Sequence, residues 1–401
     1  MKKKIFGLLI LFIGHITFGQ TESEYYKSPI DTTFTSKYLK ENRGITVILP
    51  KGFSKTKASK YPLIIVFDRQ NKRIFRQIFE SINYLVSFSE MPEAIIIGIS
   101  TENNYNRVLE TSFIASMENA KGENLINFLY QELIPWAETE LNCSANRIFI
   151  GHSRFGYFTS YLLANKLNDL TAIISCSPFF KEKNINVIDS LKNKLITQKL
   201  EHTIYYRFIT GDSLTDLTDY PLMKSFLTKT KTTNKFNWKG SEFYDAKHMA
   251  VPGLGVMPSL LEIFDYWSDE MNKVLTESKK QFNKVEYETF LQKMKVQYGD
   301  KIGLGLSVLN GIGFKYYREK KYPEARQTWD IVLAEYPMFS DGYVNIANSY
   351  AKESNKQSAL KFYETAKRNL TFNTFYSNTE RQEIYCCDKF EIRQKGTGYR
   401  G

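Results

Sequence analysis

The chain has 401 residues, of which 42% are hydrophobic and 24% charged, and its formal net charge is +11. This length suggests two or three domains, and the apolar fraction is enough for a sizeable core. The positive charge forms no Lys/Arg block, so it indicates a solvated surface and argues against a nucleic-acid partner.

The first residues have the pattern of a secretory signal peptide over 1–19. Lysines at positions 2–4 precede an apolar run, and Thr17 and Gly19 are the small residues expected before cleavage at Gln20. The apolar run is too short to span a bilayer, and no later segment is suited to do so. We therefore expect a periplasmic or secreted protein with no membrane span.

Residues 20–274 alternate between strand and helix patterns after a polar stretch over 21–36. The stretches 61–67 and 94–100 are wholly apolar, which is typical of strands buried in a parallel sheet. Further strands are predicted over 44–49, 148–150, 170–176 and 203–210, with a last one beginning at Phe243. Helices are predicted over 74–88, 124–140, 157–164, 188–200 and 258–273. This order predicts an α/β fold with a mostly parallel, doubly wound sheet.

The strand patterns stop beyond residue 275. Residues 275–300 are predicted to form a connecting segment with a charged amphipathic helix over 277–298, followed by an all-α domain over 301–371. A shift of 34 residues aligns Leu309 with Tyr343, Gly313 with Ala347, Tyr316 with Tyr350, Ala325 with Ala359, and Trp329 with Tyr363. This is the period of tetratricopeptide repeats, in which each unit is a helix pair. Such arrays need about three units, so the connecting helix is expected to pack as the third partner. The tail over 372–401 is unassigned.

The stretch around Ser153 predicts the site. A strand pattern ends at Gly151-His152-Ser153 and a helix pattern follows, which is the context of a nucleophile elbow. Such a turn exposes the serine hydroxyl to a base that activates it. The motif departs from the usual one, because Phe155 replaces the second glycine and Gly156 comes one place later. The alternative interpretation is an ordinary turn with an inert serine.

A serine nucleophile needs a histidine base. Of the four histidines, His15 lies in the signal peptide, His152 adjoins the serine, and His202 precedes its strand at the wrong edge of the sheet. His248, in the loop before the last helix of the sheet domain, is therefore the predicted base. The alternative is a surface histidine without a catalytic role.

The remaining members of the site are predicted from their places at the carboxyl edge of the sheet. The orienting acid should follow the strand before the histidine, which favours Asp212, with Asp216 or Asp219 as alternatives. Backbone N–H groups of Arg154 and Arg69 are predicted to stabilise an oxyanion. Their side chains would make the mouth positive, which would suit an anionic or phenolate substrate. The alternative is that both are plain surface arginines.

The four cysteines are Cys143, Cys176, Cys386 and Cys387. Extracytoplasmic conditions allow a disulfide, but Cys143 and Cys176 are predicted at opposite ends of the sheet and are not expected to pair. No cysteine adjoins a histidine, and spacing typical of metal ligands is absent. No metal or cofactor is therefore predicted.

Residues 36–274 resemble the putative-esterase family of α/β-hydrolases, which includes enterochelin esterases, S-formylglutathione hydrolases and feruloyl esterases. The resemblance is carried by the stretches 36–50, 61–68, 106–107, 132–135, 151–153 and 175–180, and by His248 followed by Val251-Pro252. It implies an α/β-hydrolase fold and a serine ester hydrolase with Ser153 as nucleophile and His248 as base.

The resemblance is closest to the siderophore-esterase branch, some members of which work with a weak or absent acid. Two departures lie at the oxyanion hole: Phe155 replaces the elbow glycine, and Asp68-Arg69 stands where the family has Asp-Gly. Either departure could alter or abolish the activity that the resemblance implies.

Together these observations predict an extracytoplasmic serine esterase that acts on a small-molecule ester, such as a siderophore ester or a carbohydrate acyl ester. Acyl transfer is an alternative reaction. The rival function is a catalytically impaired binding module whose repeats hold a protein partner. A Phe155 ring that covers the serine would favour the rival, whereas a tolerated ring with Ser153 in reach of His248 would favour the enzyme.

Overall fold

The structure, a computed structural model, describes residues 25–212, 219–230, 233–276 and 282–371. The strands are β1 (Ile30–Ser36), β2 (Glu41–Ile48), β3 (Tyr61–Val66), β4 (Ile95–Ile99), β5 (Cys143–His152), β6 (Ala172–Cys176), β7 (Lys181–Glu182), β8 (Ile185–Asn186), β9 (Ile204–Thr210) and β10 (Phe236–Glu242). Eight of them form one sheet in the order β1-β2-β4-β3-β5-β6-β9-β10, and β7 and β8 form a separate hairpin. The pairs β1/β2 and β2/β4 are antiparallel, and the other neighbours in the sheet are parallel.

The helices of this α/β domain are α1 (Lys72–Ser87), α2 (Asn104–Thr111), α3 (Gly122–Phe128), α4 (Ile134–Glu140), α5 (Arg154–Asn165), α6 (Val187–Thr197), α7 (Tyr220–Lys229) and α8 (Val251–Thr276). Successive side chains of β3 serve opposite faces of the sheet. Ile64 and Val66 belong to the core under α1 and α8, whereas Leu63 and Ile65 belong to the core under α3 and α5. The predicted doubly wound sheet, covered on both faces, is therefore present.

The sequence patterns missed the first edge strand and misplaced the last. β1 lies in the stretch interpreted only as polar, and its side chains are mostly exposed, so no apolar alternation marks it. The prediction that the last strand begins at Phe243 is wrong, because β10 ends at Glu242 and Phe243 already belongs to the following turn. Edge strands bury little surface, so their positions follow from pairing with a neighbour rather than from their own composition.

The helical region consists of α9 (Lys284–Tyr298), α10 (Leu306–Arg318), α11 (Tyr322–Glu335), α12 (Ser340–Lys352) and α13 (Lys356–Thr371). It packs on the edge of the sheet where the parallel strands begin. The Ala58 N–H donates to the carbonyl of Glu335 (2.9 Å), and the Thr203 N–H donates to that of Gln297 (3.1 Å). Tyr298 and Trp329 join the core beneath the sheet. This region therefore lies at the edge opposite Ser153.

Two helix pairs repeat within this region. α10 begins at Leu306 and α12 at Ser340, 34 residues later, and α11 and α13 have the same offset. A Cβ on Gly313 would lie 2.4 Å from Trp329 Nε1, so only glycine permits this approach of α10 and α11. The aligned positions 313 and 329 of the first pair, and 347 and 363 of the second, thus lie where the two helices of a pair meet.

Several predictions fall partly or wholly outside the described residues. They are the signal peptide over 1–19, the alternative acid Asp216, the pair Cys386-Cys387 and the tail over 372–401. The predicted helix over 277–298 is described only from Phe282, and α9 begins at Lys284. Cys143 and Cys176 are both buried and free, as expected. Among the described helices, none combines the length and apolar character that crossing a membrane requires.

A buried polar cluster joins the α/β domain to the helical region. Lys57 Nζ donates to the carbonyl of Ser59 (2.6 Å) and lies 3.9 Å from Glu335 Oε2. The Ser59 hydroxyl donates to the same carboxylate oxygen (2.7 Å). Burial lowers the pKa of Lys57, and the charge of Glu335 opposes that shift. Removing one partner of such a pair leaves a buried charge uncompensated.

We expect Glu335→Ala to lower the free energy of unfolding by about 3 kcal/mol, because it removes one carboxylate that offsets the buried Lys57 ammonium and the acceptor of the Ser59 hydroxyl. Urea denaturation followed by circular dichroism measures this. The control is Glu319→Ala, which removes the exposed partner of Lys321 and should cost less than about 1 kcal/mol. Equal stabilities for the two variants would show that the buried Lys57–Glu335 pair contributes no more than an exposed one.

A pH-dependent contribution to stability is expected from His202, which is buried and donates from Nε2 to the Leu170 carbonyl (3.0 Å). Burial lowers its pKa below the usual 6.5, so the unfolded chain binds this proton more readily than the folded one. The stability from neutral His202 is therefore present above pH 6.5 and is lost as the pH falls. Urea midpoints at pH 7.5 and 5.0 should differ more for the wild type than for His202→Gln, and equal differences would refute this account.

Candidate active site

Ser153 occupies a strained turn at the carboxyl edge of the sheet. It lies between the last residue of β5 and the first residue of α5, with φ 60° and ψ −117°. Residues other than glycine rarely adopt this conformation, and it persists only where surrounding contacts impose it. One such contact is the Ser153 N–H, which donates to the Cys176 carbonyl (2.8 Å). The predicted strand–turn–helix around the serine is therefore present.

Two glycines allow α5 to pass close to the sheet. A Cβ on Gly151 would lie 2.2 Å from the carbonyl oxygen of Phe155, and a Cβ on Gly156 would lie 2.7 Å from that of Cys176. The helix thus meets β5 at Gly151 and the end of β6 at Gly156. The second close approach falls at residue 156, so position 155 is free to carry a large side chain.

The Phe155 ring lies in the core and not over the serine. Its side chain is 1% exposed. The ring stacks on that of Phe67 at 4.7 Å between centroids and meets Phe158 edge-on. The departure from the usual motif therefore adds core packing beneath the turn and leaves Ser153 uncovered.

His248 lies in the loop between β10 and α8, beside the elbow. Its ring centroid is 4.6 Å from that of His152, the residue before Ser153. His152 Nε2 lies 3.0 Å from the carbonyl oxygen of His248, and a carbonyl can only accept, so this nitrogen carries a proton. The fold thus brings the predicted base to the turn that carries Ser153. Sequence reasoning set His152 aside as a base and missed this contact.

Asp212 supports the loop that carries His248. Its N–H donates to the carbonyl of Ala246 (2.8 Å), and both carboxylate oxygens lie 2.7 Å from Lys247 Nζ. The carboxylate is therefore engaged by a lysine, and its role as the orienting acid stays a prediction. The alternative Asp219 accepts a hydrogen bond from the Phe180 N–H (2.8 Å).

The predicted role of Arg69 in the oxyanion hole is wrong for this structure. Its backbone N–H donates to the carbonyl of Ile99 (3.0 Å), so that donor is already used. Its side chain extends to Thr46, Ser100 and Asp31 on the other side of β3 from β5. Hydrogen bonds from Thr46 and Arg69 lower the pKa of Asp31. Sequence reasoning placed the residue on the correct turn but could not give the direction of its N–H.

Arg154 is the first residue of α5, where backbone N–H groups have no acceptor within the helix. Its predicted role as an oxyanion donor is compatible with this position. Its guanidinium is held by hydrogen bonds to the hydroxyls of Thr111 (2.8 Å) and Ser112 (2.7 Å) and by an ion pair with Glu182 (2.6 Å). The side chain thus ties the elbow helix to the β7–β8 hairpin.

The two arginines expected to make the mouth positive are each paired with a carboxylate, as are two further basic side chains at this edge. The pairs are Arg69–Asp31, Arg107–Asp68, Arg154–Glu182 and Lys247–Asp212. Paired charges produce little net field at a distance. The structure therefore gives no support to an anionic substrate.

Arg107, on the unpredicted helix α2, contacts the two turns nearest the site. Its guanidinium binds the Asp68 carboxylate through two nitrogens, with distances of 2.7 to 3.0 Å. Nη2 also donates to the carbonyl of His152 (3.0 Å). Sequence reasoning had Arg107 only as part of a family resemblance. The signal for more was an arginine and an acid, Glu110, in the segment that follows the predicted strand over 94–100.

Other chemistry at this edge finds little support. Burial raises the pKa of Cys176 to about 12, so its thiol is not a rival nucleophile at neutral pH. Within the described residues, no group of three or more His, Cys, Asp or Glu side chains could hold a metal ion.

Two cavities lie away from this site. One, of about 460 Å³, lies beside β10, and the other, of about 500 Å³, lies between α9 and α11; neither is lined by Ser153 or His248.

The family model described as putative esterase matches residues 36–246, more than half of the chain and all of the elbow. The chain belongs to the putative-esterase family. Membership makes it a hydrolase of esters, in agreement with the sheet order and the strained serine turn. No protein with a curated description matches the chain.

Three solved structures share the fold at low sequence identity. An IroE-like serine hydrolase from Shewanella oneidensis is 15% identical with a TM-score of 0.60, over 76% of this chain and 98% of that one. An uncharacterised protein from Capnocytophaga ochracea is 16% identical with a TM-score of 0.54, over 92% and 99%. The BES protein from Bacillus cereus is 17% identical with a TM-score of 0.52, over 65% and 99%. The Capnocytophaga match also includes most of the helical region.

We expect Gly151→Ala to destabilise the protein by several kcal/mol, because its methyl group would overlap the Phe155 backbone, which cannot move without displacing Ser153. The control is Gly311→Ala on α10, which has no heavy atom within 4 Å of the added carbon. It should be neutral or stabilise by up to about 1 kcal/mol. Thermal denaturation compares the two variants, and an unaffected Gly151→Ala protein would show that the turn is not tightly packed.

Proposed function

We propose that the protein is a serine carboxylic-ester hydrolase that works through an acyl-enzyme, with Ser153 as nucleophile and His248 as base. The observation that carries this proposal is the strained turn that presents Ser153 beside the loop of His248. The ester-hydrolase family supports the reaction class. The buried Phe155 ring removes the main argument for the rival, a catalytically impaired binding module.

In this mechanism the Ser153 hydroxyl oxygen attacks the ester carbonyl carbon while His248 accepts the hydroxyl proton. The resulting oxyanion is stabilised by the N–H of Arg154 at the amino end of α5. The carbon–oxygen bond to the alcohol then breaks, and protonated His248 gives its proton to the leaving oxygen. Water, deprotonated by His248, then attacks the acyl carbon. The carbon–oxygen bond to Ser153 breaks, the serine oxygen takes the proton back from His248, and the acid is released.

The second oxyanion donor is proposed on the turn after β3, next to Arg69. The backbone N–H of Gln70 has no acceptor among the described residues. Its side chain is fixed by hydrogen bonds to Asp68 (2.9 Å) and to the Thr101 N–H (2.9 Å). A rigid turn with an unused N–H is suited to receive a developing negative charge.

The finer assignments are proposals as well. We propose an extracytoplasmic, periplasmic or secreted location from the signal-like residues 1–19, and a siderophore or carbohydrate acyl ester as substrate. We also propose that α10 to α13 are tetratricopeptide repeats, because their 34-residue offset and close contacts agree with that family of folds. Their position at the edge opposite Ser153 leaves them available to a protein partner.

The purified protein should react with a fluorophosphonate probe and hydrolyse p-nitrophenyl acetate. Ser153→Ala should abolish both activities, and His248→Ala should lower them at least about 100-fold, because the serine is then not deprotonated. Ser81→Ala, which alters a buried serine on α1, is the control and should retain them. A folded wild-type protein that neither labels nor hydrolyses would refute the proposal.

The role of Asp212 is tested by Asp212→Asn together with Lys247→Met. If Asp212 is the acid, the asparagine variant should lose at least about tenfold in kcat, because the imidazolium loses its counter-charge. If it serves only through its N–H to Ala246, both variants should keep kcat within about twofold. Ester hydrolysis across pH 6 to 9 distinguishes these outcomes.

A further inference from the structure

The three loops that build the proposed site meet at one residue, His152. The carbonyl of His152 accepts from Arg107 Nη2 (3.0 Å), and its ring donates to the carbonyl of His248 (3.0 Å). Arg107 in turn holds Asp68, on the turn after β3. One continuous chain of hydrogen bonds thus links the turn after β3, the nucleophile turn and the base loop.

The geometry points to Arg107 as a positioning residue for the reaction, acting through Asp68 and His152. This inference rests on the proposed function. Arg107 does not need to touch the substrate, because it binds the carbonyl immediately before Ser153 and fixes the turn that carries the proposed second oxyanion donor. A guanidinium suits this task because its planar fork binds a carboxylate and a carbonyl at the same time.

The surroundings of Arg107 favour a fixed position over a solvated one. Its side chain is 17% exposed and that of Asp68 is 8% exposed, so the pair is largely shielded from water. The guanidinium also lies over the Phe155 ring, 5.7 Å from the centroid. Helix α2 itself is anchored by the buried ion pair of Glu110 with Arg43 (2.6 Å).

Asp68 gives a further reason for the link. Its φ of 60° is in the left-handed region, which an aspartate tolerates better than most residues but which still needs support. Three hydrogen bonds and a charge from Arg107 supply that support. Without them the Asp68 carboxylate would keep, among the described residues, only its contact with Gln70 Nε2, and the amides that follow Asp68 would be held less firmly.

The chain offers a matched control in Arg147, on the same strand as His152. Its side chain is also 17% exposed, and it also binds one carboxylate, Glu138 (2.6 Å), and one backbone carbonyl, that of Asp169 (3.0 Å). It lies five positions before His152, toward the opposite edge of the sheet. Loss of Arg147 therefore removes similar contacts without touching the site.

The experiment compares Arg107→Lys and Arg107→Met with Arg147→Lys and Arg147→Met in the full chain. The Arg107 variants should lose about tenfold to 100-fold in kcat for p-nitrophenyl acetate, with KM within about twofold, because a misplaced nucleophile slows the chemical step. Arg107→Lys should recover little of this loss, since an ammonium cannot span both partners. The Arg147 variants should keep kcat within about twofold, even if their melting temperature falls as far as that of the Arg107 variants.

A second readout does not depend on activity. The chain holds four histidines, so their ring proton resonances can be assigned with single variants. Arg107→Met should shift the resonances of His152 and His248 and leave that of His202 in place, whereas Arg147→Met should shift neither of the first two. If the wild type is active, two results would overturn the inference. One is that Arg107→Met leaves the His152 and His248 resonances unmoved, and the other is that the Arg107 and Arg147 variants lose equal factors in kcat. An inactive wild type with the expected shifts would instead refute only the proposed function.

Discussion

The site depends on how closely α5 passes over the ends of β5 and β6. At Gly151 and Gly156 the helix backbone lies where any side-chain carbon would overlap a carbonyl oxygen. This approach forces Ser153 into a conformation that serine does not adopt freely, and the hydrogen bond from its N–H to Cys176 holds it there. The strain is held by the contact between helix and sheet, so the conformation of the serine turn and the packing of the core are not independent.

Around this turn, ion pairs hold the surrounding loops in place. Arg69, Arg107 and Arg154 each meet a carboxylate, and each pair joins segments that are distant in sequence. Arg107 joins α2 to the turn after β3, and Arg154 joins α5 to the β7–β8 hairpin. Charge-assisted hydrogen bonds between planar groups restrict geometry more than neutral ones do, which suits loops that must hold the proposed nucleophile and base at a fixed separation. The same pairing offsets the positive charge that these arginines bring to this edge.

The helical region contributes to stability at the other edge. It covers the starts of the parallel strands and shares their apolar core, with Lys57 and Glu335 buried at the contact. A surface that would otherwise be exposed is thereby closed, and the face that carries Ser153 stays open. This separation means that a partner bound to the outer helix pair would not need to compete with a substrate for space.

The sequence by itself determined the parallel core strands, the serine turn and the 34-residue offset between the helix pairs, and it singled out His248 as the predicted base. These follow from local patterns: apolar runs, a glycine-bounded turn and a fixed period. Only the tertiary structure decided that Phe155 is buried and that the Arg69 N–H belongs to Ile99. It also decided that Asp212 meets Lys247, that Arg107 reaches His152, and where the edge strands lie. Each of these depends on which distant segment supplies the partner, because a hydrogen-bond direction or a stacking contact is set by the neighbour across space and leaves no periodic trace in the chain.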